Sequence, residues 1–188
     1  MKTPSQVVEE VFDLYTKFGN EDYIGEPVSQ IEHMSQSAQL AIDEGFDDEV
    51  ILAAFFHDIG HICVMNGAEE SMGGYGKKSH ERIGADYLRS VGFPERVAKL
   101  VENHVQAKRY LTFKFPDYYN QLSEASKKTL EYQGGVMSAA EANAFENDPL
   151  FDTSIRMRKW DELAKEIHVP VMDLGVLRKK AFNILNIN

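Results

Sequence analysis

The residues of this chain that could do chemistry are its histidines and one His-Asp step. The sequence holds six His and a single Cys, and His33, His57, His61, His80 and His104 all precede residue 105, leaving only His168 apart. His57 is followed directly by Asp58 at the end of the longest apolar run, Val50-Ile51-Leu52-Ala53-Ala54-Phe55-Phe56. A buried imidazole–carboxylate pair without a partner is expensive, so the pair asks for a cation. Neutral imidazole and carboxylate suit iron, manganese, zinc or nickel, and the lone Cys63 rules out any multi-thiolate site. Asp58 has two oxygens and could bridge two ions.

The remaining donors fall on separate expected helices. A late carboxylate is also needed to balance charge, and Asp161 is the best candidate because it lies one turn from Arg158 on the same helix face. Asp148 and Asp152 are weaker rivals, since they sit near a helix start and read as caps. For any one His alone, a surface or core role is the default. Taken together, His33, His57, Asp58, His80, His104 and Asp161 supply four imidazoles and two carboxylates, a set that suits two metals sharing a bridge.

Helical periodicity runs from end to end. Ser5 to Phe18 places Val8, Val11, Phe12 and Tyr15 on one stripe, and a short loop, Tyr23-Ile24-Gly25-Glu26-Pro27, follows. A second helix spans about Ser29 to Glu44, with Ser29 and Glu32 as a capping box, Gly45 past its end, and His33 inside it. Asp47 or Asp48 opens the third, which runs into His57-Asp58-Ile59-Gly60-His61. A glycine-rich loop, Gly67 and then Met72-Gly73-Gly74-Tyr75-Gly76, is the expected mobile element. Further helices are predicted over Ser79–Val91, Glu95–Tyr110, Ser123–Gln133 and Ser138–Asn147. A long one runs from Asp148-Pro149 to about Ile167, stopped by Pro170, and a last one covers 171–185. This predicts one all-α domain over residues 1–188, with a core at about 28–165 and an N-terminal helix and lid loop at 5–27.

Composition agrees with a globule: 188 residues, 43% hydrophobic and 27% charged, with a net charge of −10. Such a chain has no basic face in bulk for nucleic acid. No apolar run approaches the roughly 18 to 20 residues of a membrane span, and the N-terminus lacks a signal-like apolar stretch. A cytoplasmic protein with no membrane partner is expected; the oligomeric state is left open.

His33 … His57-Asp58 … Asp161 resembles the signature of the HD-domain superfamily, an all-helical, largely metal-dependent phosphohydrolase fold. His80 and His104 resemble its dinuclear branch. The loop motifs go further. Tyr23-Ile24-Gly25-Glu26-Pro27, Met72-Gly73-Gly74-Tyr75-Gly76, Gly84-Ala85-Asp86-Tyr87-Leu88, Ala107-Lys108-Arg109-Tyr110-Leu111 and Lys128-Thr129-Leu130-Glu131-Tyr132-Gln133-Gly134-Gly135 resemble the PhnZ-like mixed-valent di-iron oxygenases. Those enzymes split the C–P bond of 2-amino-1-hydroxyethylphosphonate into glycine and phosphate. The likeness covers about residues 20 to 165.

The resemblance implies two iron ions, Fe(II) and Fe(III), with O2 as co-substrate and a small organophosphonate as ligand. One iron would take His33, His57, Asp58 and Asp161; the other would take Asp58 as bridge with His80 and His104. The phosphonate would meet His61, Lys108, Ser126, Thr129 and Arg158. Glu26 would pair with the substrate ammonium, and Tyr23 would hold an iron position until substrate displaces it. Charge supports the anion site independently, because a dianion in a −10 protein needs a private cationic pocket. A carboxylate at Glu26 favours a primary ammonium, whereas a trimethylammonium group sits more naturally among aromatics. Two rival readings use the same ligands: a metal-dependent HD phosphohydrolase of a nucleotide or phosphomonoester, and a degenerate HD module that senses a ligand without turnover.

Overall fold

Two capping boxes start helices where the sequence places them. Ser29 and Ser138 each accept the N3 backbone N–H, while Glu32 and Glu141 bond back to the cap N–H. Asp47 rather than Asp48 caps the third helix, accepting from the amides of Glu49 and Val50. In this computed structural model the described residues are 2–23, 25–63, 74 and 79–187. The helices are α1 (Pro4–Phe18), α2 (Gln30–Asp43), α3 (Asp48–Phe56), α4 (His80–Ser90), α5 (Glu95–Lys114), α6 (Pro116–Gln121), α7 (Glu124–Tyr132), α8 (Ala139–Glu146), α9 (Phe151–Leu163) and α10 (Leu174–Ile187), with a 3-10 turn at Ile59–His61. Among the described residues there is no strand, and no helix is long and apolar enough to cross a membrane. The expected mobile loop, Gly67 and Met72 to Gly76, lies outside the described residues apart from Gly74.

α3 forms the centre. Every residue from Val50 to Phe56 is buried, which is why this run shows no amphipathic stripe. Phe12 and Tyr15 of α1 stack on Phe55 at centroid distances of 5.7 and 4.5 Å; burying each such ring is worth about 1.5–3 kcal/mol. α2, α5 and α9 pack around α3, and α4 lies along α5. The segment past Pro170 completes this core: α10 rests on α1 and α3 with Leu177 and Ala181 fully buried. A second, smaller cluster joins α5 to α8 through Ala107, Tyr110, Leu111, Met137, Ala142 and Phe145.

The structure corrects several boundaries. α5 continues past Tyr110 to Lys114, and Pro116 at the first helical position then starts α6, which the periodicity does not reveal. α9 stops at Leu163, four residues before Ile167, and Pro170 plays no part in stopping it. Ala164 leaves helical geometry there (φ −78°, ψ 47°), and its carbonyl accepts a hydrogen bond from the His33 ring instead of continuing the helix. The last helix is shifted to 174–187 from the expected 171–185.

Candidate metal centre and adjoining cavity

Five elements bring the donors together. His33 projects from the first turns of α2, His57 and Asp58 follow α3, His80 opens α4, His104 lies in α5, and Asp161 lies in α9. All six are buried. The His33 Nδ1–H donates to the Ala164 carbonyl at 2.8 Å, that of His57 to Ala54 at 2.8 Å, and that of His104 to Val101 at 2.6 Å. A carbonyl only accepts, so these contacts set the tautomer and leave Nε2 as the donor atom for an ion.

The Nε2 atoms converge in two pairs. His33 and His57 face each other at 3.0 Å, and His80 and His104 at 3.1 Å. Asp58 stands between the pairs. Its Oδ2 is 3.6 Å from His33 Nε2 and 3.4 Å from His57 Nε2, while its Oδ1 is 3.2 Å from His80 Nε2 and 3.4 Å from His104 Nε2. Asp161 joins the first pair only, with Oδ1 3.4 Å from His33 and 3.9 Å from His57. Asp148 and Asp152 are elsewhere: Asp148 accepts the Leu150 amide in the turn before α9, and Asp152 is exposed.

These residues fit a pair of cations. With both Nδ1–H groups committed to carbonyls, the His33 and His57 lone pairs point at one another, an arrangement that needs positive charge between them. Asp58 Oδ2 is buried with no hydrogen-bond partner. Burial favours the neutral form of His57, yet Asp58 and Asp161 push its imidazole up to about 9. Burial likewise opposes ionisation of Asp58, but the surrounding imidazoles, His57 foremost, hold its carboxyl well below the usual range. A metal ion supplies the charge those shifts call for.

Local backbone geometry positions the set. Gly60 lies so close to the start of α4 that a Cβ there would sit 1.9 Å from the His80 carbonyl oxygen. Only glycine lets the 3-10 turn and α4 touch, which brings Asp58 beside His80. His61 stacks on His80 at 4.0 Å and stands with Asp58 and His80 in a second cluster whose ligand atoms lie within 4.8 Å of one another. It also lines the adjoining cavity.

That cavity, about 260 Å³, is bounded by Asp58, Asp161 and the imidazoles of His61, His80 and His104 on one side and by α5, α7, α9 and the Tyr23 loop on the others. Lys108, one turn beyond His104, donates to Thr129 Oγ1 and Gln133 Oε1, both at 2.8 Å. Burial, with the Arg158 cation beside it, pushes the Lys108 ammonium well below its ordinary value. Arg158 donates from Nη1 to Asp161 Oδ2 at 2.5 Å, from Nη2 to Ser126 Oγ at 3.1 Å, and from Nε to Tyr118 and Glu162, both at 2.9 Å. Ser126 and Thr129 of α7 and its C-cap Gln133 face the cavity, and the N-cap of α7 is Ser123.

The Tyr23 loop closes the remaining side. Glu26 N–H bonds the Tyr23 carbonyl across a tight turn with Gly25 at φ 85°, and Tyr23 N–H bonds Val28. The Tyr23 ring lies flat on His33 at 4.2 Å, and burial followed by the Asp58 and Asp161 charges pushes its phenol well up. Glu26 is already engaged: Ser123 Oγ and Lys165 Nζ each donate to its Oε1 at 2.6 Å. The six expected ligands and the expected substrate contacts therefore stand together at this site, while Asp148, Asp152 and His168 do not line it. Those missed are Gln133, four residues past Thr129, and Lys165, four past Asp161, together with Tyr118, Ser123 and Gln30, whose buried Oε1 has no partner in the cavity wall. Helical spacing from an identified neighbour would have found Gln133; Lys165 owes its place to Glu26, 139 residues away in sequence.

A helical bundle that gathers His … His-Asp … Asp from several helices is the architecture of HD-domain proteins, and residues 31–134 match the HD domain family. The chain belongs to that family. It is 40% identical over 167 residues to a [1-hydroxy-2-(trimethylamino)ethyl]phosphonate dioxygenase (glycine-betaine-forming) of Leisingera caerulea, covering 89% of this chain and 84% of that one. It is 39% identical over 173 residues to a hydroxymethylphosphonate dioxygenase of Gimesia maris, covering 92% and 85%. An uncharacterized protein, L432, of Acanthamoeba polyphaga mimivirus is 43% identical over 181 residues, covering 96% and 83%. These relatives place the chain among the PhnZ-like HD oxygenases.

Proposed function

We propose that this chain is a cytoplasmic di-iron oxygenase that cleaves the C–P bond of a 1-hydroxyphosphonate, with 2-amino-1-hydroxyethylphosphonate as substrate. The observation that carries this reading is Asp58, each of whose oxygens faces its own imidazole pair. A carboxylate so placed would hold two ions, with His33, His57 and Asp161 completing one site and His80 and His104 the other. Mixed-valent Fe(II)/Fe(III) held there would supply the one-electron chemistry by which O2 oxidises the substrate at C1. The overall change balances as aminohydroxyethylphosphonate plus O2 giving glycine plus phosphate.

The chain's own residues bind and orient. The phosphonate dianion sits between Lys108 and Arg158, where its charge restores the Lys108 ammonium that burial disfavours. Ser126 and Thr129 donate hydroxyl hydrogen bonds, and His61 closes the site from the metal side. Arg158 holds Asp161 with the same guanidinium, so anion and metal ligand are positioned by one group. Tyr23, lying on His33 beside both carboxylates, covers the centre and moves aside for substrate. Glu26 receives the substrate ammonium. Of the described lining residues only Tyr23 carries a benzene ring, which supports a primary amine over a trimethylammonium group.

The test is incubation of iron-loaded protein with 2-amino-1-hydroxyethylphosphonate, with and without O2. Glycine and phosphate in equal amounts, formed only with O2, together with a coupled Fe(II)/Fe(III) paramagnetic resonance signal that shifts on adding substrate, support the reading. Phosphate released anaerobically from this compound or from a phosphomonoester replaces it with the phosphohydrolase.

A further inference from the structure

Lys165 stands just past the end of α9 and reaches the Tyr23 loop, where its ammonium donates to Glu26 Oε1 at 2.6 Å. The two side chains are 19% and 9% exposed, so the pair is largely withdrawn from water, and both residues line the cavity. Ser123 donates to the same oxygen at 2.6 Å. A lysine ammonium and a substrate's primary ammonium are the same chemical group, a single positive charge with three N–H donors. Any amine that reaches Glu26 therefore meets one already in place.

We infer that Lys165 is a specificity-determining residue, an internal ammonium that competes with the substrate amine for Glu26 and so lets the cavity accept phosphonates with or without an amine. This rests on the placement of the substrate amine at Glu26 proposed above. Without Lys165, a ligand lacking an amine would leave Glu26 largely buried with the Ser123 hydrogen bond but no counter-charge, which is costly. With Lys165 in place, Glu26 is neutralised whichever ligand enters, and the gain from an amine shrinks to the difference between two similar ion pairs. Attraction of Lys165 for the phosphonate dianion is common to both ligand types and cancels in their ratio.

The experiment is calorimetric binding of 2-aminoethylphosphonate and ethylphosphonate to the metal-loaded protein; neither carries the C1 hydroxyl, so binding is read without turnover. Lys165→Met should raise the ratio of amine to non-amine affinity about fivefold, the size of a partly exposed ion pair. Lys165→Gln, which keeps the side chain polar, should raise it too and decides the matter if the Met variant does not fold. Lys165→Arg keeps the ion pair and should leave the wild-type ratio. A ratio unchanged in both neutral variants, or both ligands weakened equally, overturns the inference. Wild-type protein that binds neither ligand overturns it together with the phosphonate assignment. Failure of the proposed reaction alone has a different signature, binding of both ligands with no O2-dependent cleavage of the hydroxylated compound.

Discussion

The two sides of the cavity are held in different ways. The imidazoles of His33, His57 and His104 are anchored through Nδ1 to backbone carbonyls, on helices whose other faces enter the main core around α3. Lys108 and Arg158 are instead aimed by side chains: Thr129 of α7 and Gln133 just past it hold Lys108, while Ser126 of α7 and Tyr118 of α6 hold Arg158 beside Asp161 and Glu162 of its own helix. Of these short helices, α6 packs Tyr118 against the smaller apolar cluster. Carbonyl anchors inside a large core cannot shift without disturbing the helices themselves. Side-chain clamps on short helices open at lower free energy, which is what a ligand-admitting wall requires.

That contrast predicts effects of decreasing size. Asp58→Asn keeps the volume but loses the bridge, so metal content should fall at both positions and O2-dependent cleavage should drop by about a thousandfold. Metal quantitation on the purified variant checks this, and retention of one full equivalent would show that the pairs load independently. Gly60→Ala should destabilise the fold by roughly 3 kcal/mol or more, because its Cβ would overlap the His80 carbonyl. Chemical denaturation measures it, and a neutral result would mean the metal side is as pliable as the cation side.

On the cation side the losses should be smaller and confined to substrate. Arg158→Lys keeps a cation beside Asp161 but loses the planar fork, so metal should be retained while KM for the hydroxyphosphonate rises about thirtyfold. Steady-state kinetics with metal quantitation separates the two. Tyr118→Phe removes the hydroxyl that accepts from Arg158 and donates to Glu162. A rise in KM of about fivefold, the value of one ordinary hydrogen bond, is expected with kcat nearly unchanged. A collapse of kcat or of metal content in this variant would join the two sides into one unit.

Legibility followed the same divide. The helices of the metal side were readable because capping boxes and apolar stripes are local, as at Ser29-Glu32 and along Val97, Leu100, Val101 and His104. α6 was not readable: six residues carry too little periodicity, and none of them is buried. The end of α9 was misplaced because the decisive partner of Ala164 is His33, 131 residues away. Lys165 was missed for the same reason, since its partner Glu26 is 139 residues away.

By itself the sequence determined the donor types, the absence of a thiolate set, the all-helical class and the likeness to a family, because donor chemistry and helical period are properties of residues and their near neighbours. The sequence preferred Asp161 to Asp148 and Asp152, and the tertiary structure set it beside the histidines. It brings Asp161 to 3.4 Å from His33 while Asp148 serves a turn. It also split the imidazoles into two pairs about one aspartate and placed Lys165 on Glu26. Those are distances between helices, and packing sets them.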